Sequence, residues 1–182
     1  MSLGDSLRSA PAVPPVVAAA RRRDAYRRQL LGLGLALLVL ALLHHADHVI
    51  RGDVVVEQGL PAAWNHSGWP FQDAVTPFTA SLLVYALILP GIAMNLAGRL
   101  AARWWATSAV VLLLVVGFVH FAPTNERESP SVILDTHAAG GDRLFGPLAV
   151  ADLLLLVLAL LAVLVVATRA ARDDGRPDLP PL

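Results

Sequence analysis

The residues of this chain best suited to chemistry stand together in LLHHADHVIRGD, positions 42–53. At about 100° per helical residue, His44, Asp47, His48 and Arg51 fall at i, i+3, i+4 and i+7, a single face, with His45 set to one side. Two imidazoles four residues apart lie on adjacent turns and can share one metal ion, with Asp47 placed as a third ligand or as the acceptor that orients an imidazole. The competing reading is an interfacial helix end at which Asp47 pairs with Arg51. The stretch follows fourteen residues, 30–43, made only of Leu, Ala, Val and Gly. A polar face at the end of so apolar a segment calls for the elements that carry it.

Those elements belong in a bilayer. A content of 56% apolar residues and a mean hydropathy of +0.62 exceed what a soluble domain of this length carries. Crossing about 30 Å of hydrocarbon takes roughly 20 mostly apolar residues, and four stretches qualify, at about 29–50, 77–98, 104–122 and 147–168. The expected fold is all-α, an antiparallel bundle of four transmembrane helices over 29–168, between disordered tails at 1–28 and 169–182. The first span is preceded by nearly thirty polar, Pro-bearing and Arg-rich residues and followed by no small-residue cleavage site, so it is expected to stay as an anchor. All basic residues are arginine. Arg8, Arg21, Arg22, Arg23, Arg27, Arg28, Arg99, Arg103, Arg169, Arg172 and Arg176 fall on one side and only Arg51, Arg127 and Arg143 on the other. The positive-inside rule then puts both termini in the cytoplasm. The absence of cysteine excludes disulfides, thiolate metal sites and cysteine nucleophiles.

This arrangement decides which other residues can join the histidines. His120 closes the third span, parallel to the first, so its imidazole can meet the face of His44 and His48. Asp152 lies five residues after Pro147, the proline that suits the first turn of the fourth helix, and therefore one to two turns inside the membrane. An ionisable group at that depth usually faces the bundle interior and takes part in a site or a proton path. Thr76-Pro77 starts the second span, whose Thr79 and Tyr85 could line the same pocket, while Ser81 reads as a hydrogen bond between helices. Trp69, Trp104 and Trp105 read as interface anchors. Two outer loops, 51–75 and 123–145, are longer than antiparallel helices need and are expected to fold over the bundle. In the second, Val132-Ile133-Leu134 reads as a short lid or re-entrant segment, and Glu126 or Glu128 could act as general base. His66 and His137 read as ordinary loop residues.

The motifs DHVIRG (47–52), GWPF (68–71) and VTPFTASLLVY (75–85), with HFAP at His120, resemble a group of small uncharacterised bacterial four-span integral membrane proteins. The resemblance covers about 40–165 and implies a bacterial inner membrane; it brings no activity, cofactor or catalytic residue. The residues themselves point to a metal-dependent membrane enzyme with its site at the outer leaflet. His44, His48 and His120 would be the ligands, and the catalytic candidates are Asp47, Glu126, Glu128 and Asp152. Nitrogen and carboxylate ligands without thiolates suit zinc or iron, and the substrate would be lipid-like or small and apolar. A b-type haem protein with His120 and His44 or His48 as axial ligands is one alternative. A protein that binds metal or protons without chemistry is another. No phosphate-binding loop, dinucleotide fingerprint or hydrolase elbow is present, and no basic groove suggests nucleic acid. A chain this short could also form a homo-oligomer.

Overall fold

The computed structural model describes residues 14–57, 79, 81–123 and 128–175. Among the described residues it is all-helical. Helix α1 runs over Pro15–Glu57, α2 over Tyr85–Leu96 behind a 3-10 turn at Leu82–Val84, α3 over Ala102–Phe121, α4 over Pro130–Ala139 and α5 over Phe145–Asp174.

Three helices are long and apolar enough to cross a membrane, Pro15–Gly52, Ala102–Phe121 and Phe145–Asp174, and the apolar helix Leu82–Leu96 is shorter. Of the second expected span, 77–98, residues 77, 78 and 80 lie outside the described residues. The outward faces of the long helices are what lipid requires: Leu114 is 69% exposed and Leu158 61%, which would be costly in water.

α1 begins well before its apolar run. Its 43 residues span about 64 Å at 1.5 Å per residue, twice the hydrocarbon thickness. The described part of the N-terminal segment expected to be disordered is thus helical. Ala and Arg are strong helix formers, and Asp24 pairs within the helix with Arg27 at 2.6 Å and also with Arg28. α5 likewise continues past its expected end to Asp174, where Tyr26 of α1 donates a hydrogen bond to Asp173 (2.8 Å).

The helices form a ring in the order α1, α2, α3, α5, with α5 packed closely on α1 and α3, and α2 resting mainly on α1. α1 and α3 run one way and α2 and α5 the other, so the histidines lie at one end and the arginine-rich segments at the opposite end. Leu37, Ile88, Ile92, Leu112, Leu160 and Val163 form the core between them. Near the arginine end Trp105 is wholly buried in a seat made by two glycines: a Cβ on Gly34 or on Gly91 would come within 2.6 Å of its ring. The buried Asn95 faces the indole, its oxygen 3.0 Å from Trp105 Nε1 when the amide is oriented to accept.

α4 replaces the expected lid or re-entrant loop with a docked helix. Ser129 caps it, accepting from Val132 N, and Pro130 takes the first helical position. Its Ile133 is fully buried against Ala149 and Leu153 of α5. Gly146 lies against Leu134 and His137, allowing α4 to approach the start of α5 closely.

Candidate metal centre

The face predicted in α1 exists, and α3 meets it. His44 and His48 lie on successive turns, His120 comes from the last turn of α3, and all three are buried. Their rings converge through the same atom: His44 Nε2 lies 3.2 Å from His120 Nε2 and 3.2 Å from His48 Nε2. Suitable nitrogens on all three lie within 4.8 Å of one another, so the group could hold a metal ion. Zinc–nitrogen bonds of about 2.0–2.1 Å in a tetrahedron set ligating nitrogens roughly 3.3 Å apart. The two short separations fall on that spacing.

The hydrogens show why three imidazoles would meet in this way. His120 Nδ1 lies 2.7 Å from the Glu128 carbonyl oxygen, which can only accept; Nδ1 therefore carries the hydrogen and Nε2 offers a lone pair. His44 Nε2 cannot at once donate to that lone pair and accept from His48. Arg51 Nη2 can only donate to His48 Nδ1, so His48 Nε2 carries its hydrogen toward His44 and the His44–His120 contact sets two lone pairs against each other; a cation at the centre could take all three nitrogens once His48 changes tautomer.

Around them stands a ring of charge. Arg51, fully buried, donates to Asp47 Oδ2 at 2.7 Å and to Glu128 Oε2 at 3.0 Å. His137 Nε2 lies 2.7 Å from Asp47 Oδ1. Asp152 brings its Oδ2 to 3.9 Å from His44 Nδ1, and neither of its oxygens has a hydrogen-bond partner among the described residues. His48 Nδ1 faces Arg51 Nη2 at 3.1 Å and Glu128 Oε2 at 3.7 Å. With the imidazoles neutral, three carboxylates oppose one guanidinium among the described residues. That formal surplus of two negative charges is what a divalent ion would balance.

The site residues read from the sequence are distributed unevenly. Asp47 does not reach toward the triad's Nε2 atoms; both its oxygens are taken by Arg51 and His137. Glu128 is inside, but fully buried in an ion pair, which makes it a poor general base. Asp152 faces His44, as expected of an intramembrane acid. Glu126 lies outside the described residues, as does His66. Tyr85 approaches His45 Nδ1 at 3.1 Å instead of lining the space beside the triad, and Thr79 does not line it either. His45 is not a ligand of the group but is tied into α2: its Nδ1 lies 2.7 Å from the Ala41 carbonyl oxygen and its Nε2 3.0 Å from Ser81 Oγ. His137 was missed because it reads as a loop residue. Ser129-Pro130, an N-cap followed by proline, was the local signal that a helix carries it.

Beside the triad lies a cavity of about 70 Å³. His44, His45, His48, His120 and Ser81 form its polar end, and Leu37, Ile88, Leu112, Val116, Leu156 and Leu160 are among its apolar walls. Among the described residues, an all-helical fold with three membrane-length apolar helices and a buried three-histidine group able to take a metal is the class that fold and site define. No protein-family model, curated protein or solved structure matches the chain. Function has to be argued from this geometry.

Proposed function

We propose that this chain is an integral protein of a bacterial inner membrane, with four spans and cytoplasmic termini, that binds one divalent ion, zinc or iron, through His44, His48 and His120 and uses it as an enzyme on a lipid-like or small apolar substrate. The observation that carries the reading is the convergence of three buried histidines whose ligand nitrogens lie within 4.8 Å of one another. The arginine distribution supports the orientation, and α2 together with the residues before it would be the fourth span.

Three protein ligands leave a fourth position, the arrangement typical of catalytic rather than structural zinc. A metal ion bound there would supply Lewis acidity and a water of lowered pKa. The protein's own contribution is positional. The Glu128 carbonyl fixes the tautomer of His120. Asp152 Oδ2 stands 3.9 Å from His44 Nδ1 and Glu128 Oε2 3.7 Å from His48 Nδ1, so a small shift of either carboxylate would let it accept from that ring. Arg51 holds Glu128 and Asp47 in place, and the core walls keep bulk water from the triad. A haem would need room for a macrocycle between its axial ligands, and imidazoles in hydrogen-bond contact argue against that alternative.

Metal content and absorption of the purified protein test the proposal. We expect about one equivalent of zinc or iron and no Soret band, with the metal lost on His44→Ala, His48→Ala or His120→Ala and kept on His45→Ala. A Soret band would select haem. If the wild type binds neither added Zn²⁺ nor Fe²⁺ better than the triple alanine variant, the site is not a metal centre.

A further inference from the structure

Resting on that reading, we infer that the substrate is a single-chain amphiphile that enters sideways from the bilayer between α2 and α3, its head at the imidazoles and its tail trailing out into lipid. The packing of the ring carries this. Among the described residues, α5 is closely packed on both α1 and α3, and α2 rests on α1, but α2 and α3 scarcely touch. Trp104 Nε1, from the first turn of α3, donates to the Leu87 carbonyl at 2.8 Å, and the Trp105 ring lies against Gly91. Toward the histidine end α2 is drawn the other way, since Ser81 and Tyr85 both bond to His45 of α1. Among the described residues, the start of α2 is thus bonded to α1 rather than to the part of α3 that lines the cavity. Val84 and Ile88 of α2 and Val115, Val116 and Val119 of α3 line the same space.

The approach from the end of the bundle is closed. α4 and the residues before it lie over the triad, holding it through the Glu128 carbonyl, the Arg51–Glu128 pair and the His137–Asp47 contact, all buried. Beside α4, a Cβ on Gly140 would come within 2.9 Å of Val54, so α4 also lies close against α1. A water-borne solute would have to displace buried ion pairs to enter among the described residues; a molecule already dissolved in hydrocarbon would have to part only valines. The flanks of the seam suit that medium, Leu83 being 72% and Phe118 59% exposed. Polar groups sit only at the triad end of the cavity, so the ligand needs a single polar head. At about 70 Å³ the space holds that head and the first few carbons and not a two-chain phospholipid.

The test uses full-length, zinc-loaded protein in phospholipid nanodiscs and a 16-carbon primary alkanol carrying a diazirine near its hydroxyl end. On irradiation, mass spectrometry is expected to find adducts on residues 84–88 and 115–119 that excess hexadecan-1-ol suppresses at least tenfold. Adducts at the lipid-facing Leu114 and Leu158 should not be suppressed. Val116→Trp, which fills the cavity from α3, should abolish the suppressible adducts and keep its zinc; should it fail to fold, Val84→Phe fills it from α2. Adducts on the seam no more suppressible than those at Leu158 overturn the inference while bound zinc leaves the metal site standing. Suppressible adducts in a protein that holds no zinc support the lateral slot and overturn the metal reading.

Discussion

His48 is the one imidazole of the triad whose Nδ1 faces a donor, Arg51 Nη2, with the Glu128 carboxylate slightly farther off. To ligate through Nε2 it must carry its hydrogen on Nδ1 and give it to Glu128. Glu128→Gln should therefore weaken zinc binding about 10–100-fold, as loss of such outer partners does, in a competition titration against a chelator. An unchanged affinity would mean that the Glu128 carboxylate does not orient His48. Arg51→Met should leave two buried carboxylates uncompensated and cost about 3–5 kcal/mol, read as a lowered unfolding temperature in detergent. Zinc occupancy should fall as pH is lowered through the imidazole range, about 6.5 in water, because protons compete for the same lone pairs. The triad was legible from the sequence because helical spacing joins His44 to His48, and parallel spans bring His120 to the same level. The charge ring was only half legible. The pairing of Asp47 with Arg51 lies within one helix, but Glu128 is 77 residues from Arg51 and His137 is 90 from Asp47. No local period connects them.

At the level of elements, the Trp105 seat fixes where α1, α2 and α3 cross. Gly91→Ala would place a methyl group 2.6 Å from the indole and should cost about 1–3 kcal/mol, whereas Gly117→Ala meets nothing within 4 Å and should be neutral or mildly stabilising. Equal unfolding temperatures for the two variants would show that the indole is free to shift. Ile133→Ala, which removes the apolar anchor of α4, should cost about 2–5 kcal/mol and speed zinc loss to a chelator, since α4 covers the triad. The long apolar helices were readable because a span of that length declares itself by composition alone. Two features were not. The start of α1 hides behind arginines, which count as tail by hydropathy although they favour a helix. α4 hides behind Asp135, Thr136 and His137, of which Thr136 and His137 turn inward, His137 toward the buried Asp47.

For the molecule as a whole, the orientation rests on the arginines and can be tested directly because the chain has no cysteine of its own. Ser131→Cys is exposed at the histidine end and Gly175→Cys at the arginine end. In intact cells an impermeant thiol reagent should label the first and spare the second; the reverse would invert the topology. Biosynthesis puts a further demand on the same end of the bundle. A chain grows at about 5–20 residues per second, so α1 would wait roughly 4–15 s between the appearance of Arg51 and that of Glu128, 77 residues later. During that interval the guanidinium already has a carboxylate of its own helix to pair with, Asp47, four residues away. An arginine facing lipid alone costs several kcal/mol even on lenient scales, which makes the intrahelical pair an escort for the first helix through the translocon. Asp47→Asn should then lower the insertion of a nascent chain halted before residue 128 more than that of the completed protein.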